Sequence, residues 1–117
     1  MRLFGGVQIE LPATNSEVGV VARTTTWSGS PEALDSWAEH VKDQVAGFVS
    51  GLPGNAGGVF LVNREEGTAL TLTLWRDEEA AAETEKFAER SRASTVAATG
   101  VELVDRGAYE VVLRLWA

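Results

Sequence analysis

The stretch Thr68-Ala69-Leu70-Thr71-Leu72-Thr73-Leu74-Trp75-Arg76-Asp77-Glu78-Glu79-Ala80 decides the fold. Leu70, Leu72 and Leu74 alternate with Thr71, Thr73 and Trp75, the period of two that sends side chains to opposite faces of a β-strand. Both faces carry residues that call for cover, leucines on one and threonines with an indole on the other. Directly after the strand, Asp77 is a good helix N-cap, and Glu78 and Glu79 set negative charge on the positive end of a helix dipole. A strand half-buried on both sides that runs straight into a helix predicts a layered domain of mixed α and β structure.

Working outward, Val59 to Asn63 reads as the preceding strand and Arg64 to Gly67 as the hairpin turn between the two. Upstream, Gly51-Leu52-Pro53-Gly54-Asn55 breaks a helix that starts at Ser30-Pro31-Glu32, where Ser30 suits the cap and Pro31 the first helical position. Its apolar stripe is Leu34, Trp37, Ala38, Val41, Val45 and Phe48, and it runs to about Val49. Val18 to Trp27, rich in β-branched residues, predicts a strand before it. Downstream, the helix capped by Asp77 runs to Ser91 or beyond, presents Ala80, Thr84, Phe87 and Ser91 inward, and ends at Thr99-Gly100. A last strand is expected from Val101 to Trp116, with a bulge or bend at Asp105-Arg106-Gly107. Before all of these, Val7, Ile9 and Leu11 alternate with Gln8 and Glu10 ahead of Pro12, which fits an extra edge strand, an arm on a partner or a loose terminus.

The order is β-α-β-β-α-β, the ferredoxin-like sandwich, with residues 1–17 as an N-terminal segment and 18–117 as one domain. Two helices cover only one face of such a sheet. The face bearing Leu70, Leu72 and Leu74 therefore wants a second sheet, which predicts a homodimer built by sheet-to-sheet packing, a dimeric α/β barrel.

Composition narrows the functional classes. The 117 residues include no cysteine, so disulfides, thiolate metal sites and a cysteine nucleophile are excluded, and a reducing, cytoplasmic setting is expected. A formal net charge of −7 disfavours nucleic acid and anionic membrane surfaces, and no run of apolar residues is long enough to span a bilayer. Gly54-Asn55-Ala56-Gly57-Gly58 lacks the strand-before, helix-after setting of a phosphate-binding loop, and no nucleophile elbow or metal-ligand spacing is present.

Three segments resemble the antibiotic biosynthesis monooxygenase family: Ala22-Arg23-Thr24-Thr25-Thr26-Trp27-Ser28-Gly29-Ser30-Pro31-Glu32, Leu52-Pro53-Gly54-Asn55-Ala56-Gly57-Gly58, and Leu70-Thr71-Leu72-Thr73-Leu74-Trp75-Arg76-Asp77-Glu78-Glu79-Ala80, with its strand-ending Trp75 and acidic helix start. The resemblance extends over about Val18 to Leu113. It implies the dimeric barrel fold and, for function, a small cofactor-independent monooxygenase acting on a planar or aromatic molecule. The alternative is a non-catalytic dimer that binds a small hydrophobic molecule or supports a pathway partner. Haem-degrading relatives use a first-strand asparagine and a second-helix histidine. Neither is matched here, where Glu85 or Lys86 stands near the histidine's place, so the resemblance implies no haem and no other cofactor.

The candidate ligand-binding residues are Trp75, Trp27, Thr71, Thr73, Arg23 and Thr84. Trp75 either stacks on a planar ligand or braces the helix layer, and Trp27 stands at a strand end where it could line a pocket mouth. Trp37, on the core stripe, reads as structural. Arg23 in mid-strand calls for a carboxylate partner or an anionic ligand. Thr71 and Thr73 facing Thr84, Ser91 and Ala80 leave space unfilled, the signature of either a cavity or a close helix–sheet approach. His40 is the sole histidine and so the one catalytic candidate for a general base. At the rim of its helix it also fits a solvated surface residue.

Overall fold

The computed structural model describes residues 20–115. Strand β1 (Val21–Ser28) leads into helix α1 (Pro31–His40), which continues through a π-helical turn (Val41–Val45) into α2 (Ala46–Ser50). The hairpin β2 (Asn55–Asn63) and β3 (Thr68–Trp75) follows, then helix α3 (Glu78–Thr99) and strand β4 (Glu102–Glu110). The four strands form one sheet in the order β2-β3-β1-β4, antiparallel at every junction. This is the expected α+β ferredoxin-like sandwich. The expected N-terminal strand or arm (1–17) lies outside the described residues.

Local chemistry sets the element ends. Ser30 Oγ accepts from Ala33 N at 3.1 Å and Asp77 Oδ1 from Ala80 N at 2.8 Å, each satisfying an N-terminal amide that lacks a helical partner. Gly100 closes α3 at φ +84°, a left-handed conformation that glycine reaches without strain. Gly54, at φ +82°, packs its loop against the start of α3 so closely that a Cβ there would lie 2.4 Å from the Cβ of Ala80.

Four sequence expectations shift. The strand expected to begin at Val59 begins at Asn55, because Gly57 (φ +117°) and the Asn55 side chain, which donates to Leu74 O at 3.2 Å, carry an irregularity past the glycines. Phe48 is exposed, and Val49 takes its inward place. The π turn, closed by Ala46 N on Val41 O, adds a residue and rotates the rest of the helix. On α3 Ala80, Thr84 and Ser91 face inward as expected, joined by Ala81, Thr95 and Thr99, while Phe87 sits at the flank under Lys86 and Arg90. Finally, β4 stops at Glu110 instead of reaching Trp116, which lies outside the described residues. Val111 N still donates to Val20 O at 3.0 Å, one residue past the end of the strand. The expected bulge is present slightly earlier, with Thr26 opposite Asp105 and Trp27 opposite Leu103, so that Val104 is the extra residue.

The core lies between the helices and one sheet face. Trp27, Leu34, Trp37, Val41, Val45, Ala69 and Val101 form its buried cluster, with Phe60 and Val62 packed against it. On the other face Leu70, Leu72 and Leu74 are half-buried, beside the exposed Val59 and Leu61 of β2. Among the described residues no helix is long and apolar enough to cross a membrane.

Candidate functional site

The register places three successive rows of side chains beneath the helices. Val62, Ala69, Trp27 and Leu103 make one row, Phe60, Thr71, Thr25 and Arg106 the next, and Gly58, Thr73, Arg23 and Ala108 the third. The alternation that puts Leu70, Leu72 and Leu74 outside is the same alternation that puts Thr71, Thr73 and Trp75 inside. Above this floor α3 offers only Ala88, Ser91, Arg92 and Thr95, and the π turn offers Val41 and Val45. Small residues cannot fill the gap, and a cavity of about 50 Å³ remains between the layers.

Three indoles face this cavity: Trp27, Trp37 and Trp75, all almost wholly buried. Two are fixed by threonines. Trp27 Nε1 donates to Thr71 Oγ1 across the β1–β3 pair at 3.0 Å, and Trp75 Nε1 donates to Thr73 Oγ1 along its own strand, also at 3.0 Å. Each hydroxyl keeps its own proton to give to another acceptor. Trp37 differs. Its Nε1 is the sole buried side-chain nitrogen or oxygen among the described residues without a hydrogen-bond partner. An orphaned buried donor costs about 1–3 kcal/mol, which an acceptor brought within hydrogen-bond reach of it would recover.

The electrostatics concentrate at one side. Arg23 and Arg92 line the cavity and both bond Glu85, Arg23 through Oε1 and Arg92 through Oε2. Arg106 reaches the same Oε2 at 3.3 Å. The carboxylate expected for Arg23 is therefore Glu85, from α3.

Of the sequence candidates, Trp75, Trp27, Thr71, Thr73 and Arg23 come together around the cavity. Thr84 does not. It is buried and turns its hydroxyl back to Ala80 O at 2.8 Å within its helix, outside the cavity lining. His40 is also elsewhere, half-buried in an outer cleft with Gln44, Phe48, Phe87 and Arg90 between the first helix and α3. Trp37, read from sequence as structural, does belong to the buried core cluster and also lines the cavity, whereas Thr25, Phe60 and Arg92 were passed over. Thr25 was recoverable from its alternation with Arg23 and Trp27, and Arg92 from its place two helical turns beyond Glu85. The orphaned N–H of Trp37 has no sequence signal.

Comparison with known proteins fits this architecture. No family model matches the chain. Two curated relatives from Mycobacterium tuberculosis, the uncharacterised proteins Rv2557 and MT2634, are each 35% identical over 79 residues, or 67% of this chain. The chain spans about a third (35%) of their length. Among solved structures, SnoaB of Streptomyces nogalater, a cofactor-independent oxygenase, superposes with a TM-score of 0.59 at 17% identity, covering 83% of this chain and 97% of its own. The ActVA-Orf6 monooxygenase of Streptomyces coelicolor, bound to nanaomycin D, gives 0.62 at 16% identity over 90% and 96%. A conserved protein of Methanosarcina mazei gives 0.66 at 11% identity over 83% and 97%. The fold is thus that of the antibiotic biosynthesis monooxygenase-like proteins.

Proposed function

We propose that the protein takes a planar, aromatic small molecule into the tryptophan-lined cavity and acts on it as a small cofactor-independent monooxygenase. The observation that carries this reading is the convergence of Trp27, Trp37 and Trp75 on one cavity, with the N–H of Trp37 unpartnered. Flat apolar walls select flat apolar ligands, and a few fixed donors orient them. Thr71 and Thr73, held by the indoles, are the hydrogen-bonding part of the floor. A hydroxyanthrone that has lost a proton to solvent gives its own electrons to O2, one oxygen atom becoming the new ring carbonyl and the other leaving as water, so the protein's tasks are to bind and orient the ring. The likeness in fold to SnoaB and the ActVA-Orf6 protein supports the oxygenase assignment.

Oxygen uptake with a hydroxyanthrone is the test. The reading expects consumption proportional to protein and reduced at least tenfold in Trp75→Ala. Saturable binding with no consumption above background would contradict it. That outcome belongs to a second reading, a non-catalytic binding or accessory protein, which one observation favours. Among the described residues, none that lines the cavity is a histidine, tyrosine, lysine or carboxylate, so these hold no evident proton acceptor.

The proposal includes a homodimer. Leu70, Leu72 and Leu74, flanked by the exposed Val59 and Leu61, form an apolar sheet face that the chain's own helices do not cover. A second copy packed sheet to sheet would bury it.

A further inference from the structure

Arg23 of β1, Arg106 of β4 and Arg92 of α3 all converge on the single carboxylate of Glu85. Arg23 and Arg106 are diagonal neighbours on one sheet face, since Arg23 pairs with Ala108 and Arg106 with Thr25. Two guanidinium groups placed there repel, and Arg92 adds a third. Three positive charges against one negative leave a formal surplus of two, within a chain of net charge −7. A structural ion pair needs one arginine for one carboxylate, and this cluster has two more than that.

The place of the surplus matters. The Arg92 side chain is 13% exposed and that of Arg23 is 25% exposed, so solvent screens them only in part. Each of the three guanidinium groups donates one hydrogen bond to Glu85, out of about five N–H donors that such a group carries. Arg23 and Arg92 also form a wall common to two spaces. On one side is the tryptophan cavity, and on the other a cleft of about 300 Å³ lined by Thr24, Glu85, Arg106, Gly107 and Ala108. A ligand seated against the indoles therefore has the guanidinium groups at its edge.

We infer that this cluster is an anion site for a carboxylate borne by the aromatic ligand, and that Glu85 is the resident carboxylate it displaces or shares with. The inference rests on the cavity being the ligand site. It adds the charge class of the ligand, an aromatic carboxylate instead of a neutral ring system, and names Arg92, Arg106 and Glu85 as specificity residues. A planar carboxylate matches the guanidinium fork, and Glu85 takes a single hydrogen bond from each arginine, which leaves their other donors for a second carboxylate.

The test compares 2-naphthoate with its uncharged methyl ester by quenching of tryptophan fluorescence. In the unmodified protein the acid is expected to bind at least tenfold more tightly than the ester. In Arg92→Gln and Arg106→Gln the ratio of acid to ester binding falls toward one. In Glu85→Gln, which removes the competing charge, the ratio rises severalfold. Because each variant is judged by acid against ester on the same sample, a general loss of structure cannot imitate the result. Equal binding of acid and ester to the unmodified protein would overturn the anion site and leave the cavity reading standing. Binding of neither would overturn both. A ratio unmoved by Glu85→Gln and by the arginine substitutions would place the preference elsewhere and overturn this assignment.

Discussion

At the scale of single residues, the three cavity tryptophans show how one side-chain type takes two roles. Trp27 and Trp75 give their N–H groups to Thr71 and Thr73, and are thereby locked as walls. Trp37 keeps a buried N–H with no partner. Replacing it by phenylalanine removes that uncompensated donor along with some buried area, and the two effects oppose each other. Trp37→Phe should therefore change stability by no more than about 1 kcal/mol in chemical denaturation. It should weaken the binding of a carbonyl-bearing aromatic by five- to tenfold. A large loss of stability with unchanged binding would make Trp37 purely a packing residue.

At the scale of elements, the cavity is a consequence of helix phase and residue size. The π turn at Val41–Val45 shifts the first helix so that Val45 and Val49 line the space and Phe48 leaves it. Above the sheet, Ala88, Ser91 and Thr95 of α3 are too small to close the gap. A volume near 50 Å³ corresponds to only about three to five waters at ~10–15 Å³ each, so the proposed binding of a bicyclic ligand requires α3 and the sheet to part. Ala88→Leu fills the space, and should block binding while leaving the melting temperature unchanged or higher, as scanning calorimetry with and without ligand would register. The elements themselves were legible in sequence, because alternation in Thr68–Trp75 and the caps at Ser30 and Asp77 are local signals. The facing of Thr71 and Thr73 into a helix-covered space followed from the same alternation. What was not legible depended on long-range geometry. Phe48 was misplaced because a π turn leaves no local mark. Thr84 was assigned to the cavity although its hydroxyl is satisfied within its own helix at Ala80 O. The far end of β4 was extended to Trp116 although the strand stops at Glu110.

For the whole molecule, the two proposed roles fall on opposite faces of the sheet. One face holds the indoles and the arginine cluster, and the other, with Leu70, Leu72 and Leu74, is where a second copy is proposed to pack. Leu72→Glu would put a charge into that contact, so light scattering at micromolar concentration should move from twice the chain mass to the chain mass. A monomer before substitution would remove the proposed dimer. The central claim, that the tryptophan cavity is the ligand site, is tested most directly by the indole N–H signals in a ¹⁵N-correlated NMR spectrum. Trp37→Phe identifies the Trp37 signal by its loss. Titration with 2-naphthoate or its ester should move the Trp37 signal downfield the most, as its N–H gains an acceptor, with smaller shifts at Trp27 and Trp75. Saturable binding that leaves all three signals in place would contradict the account.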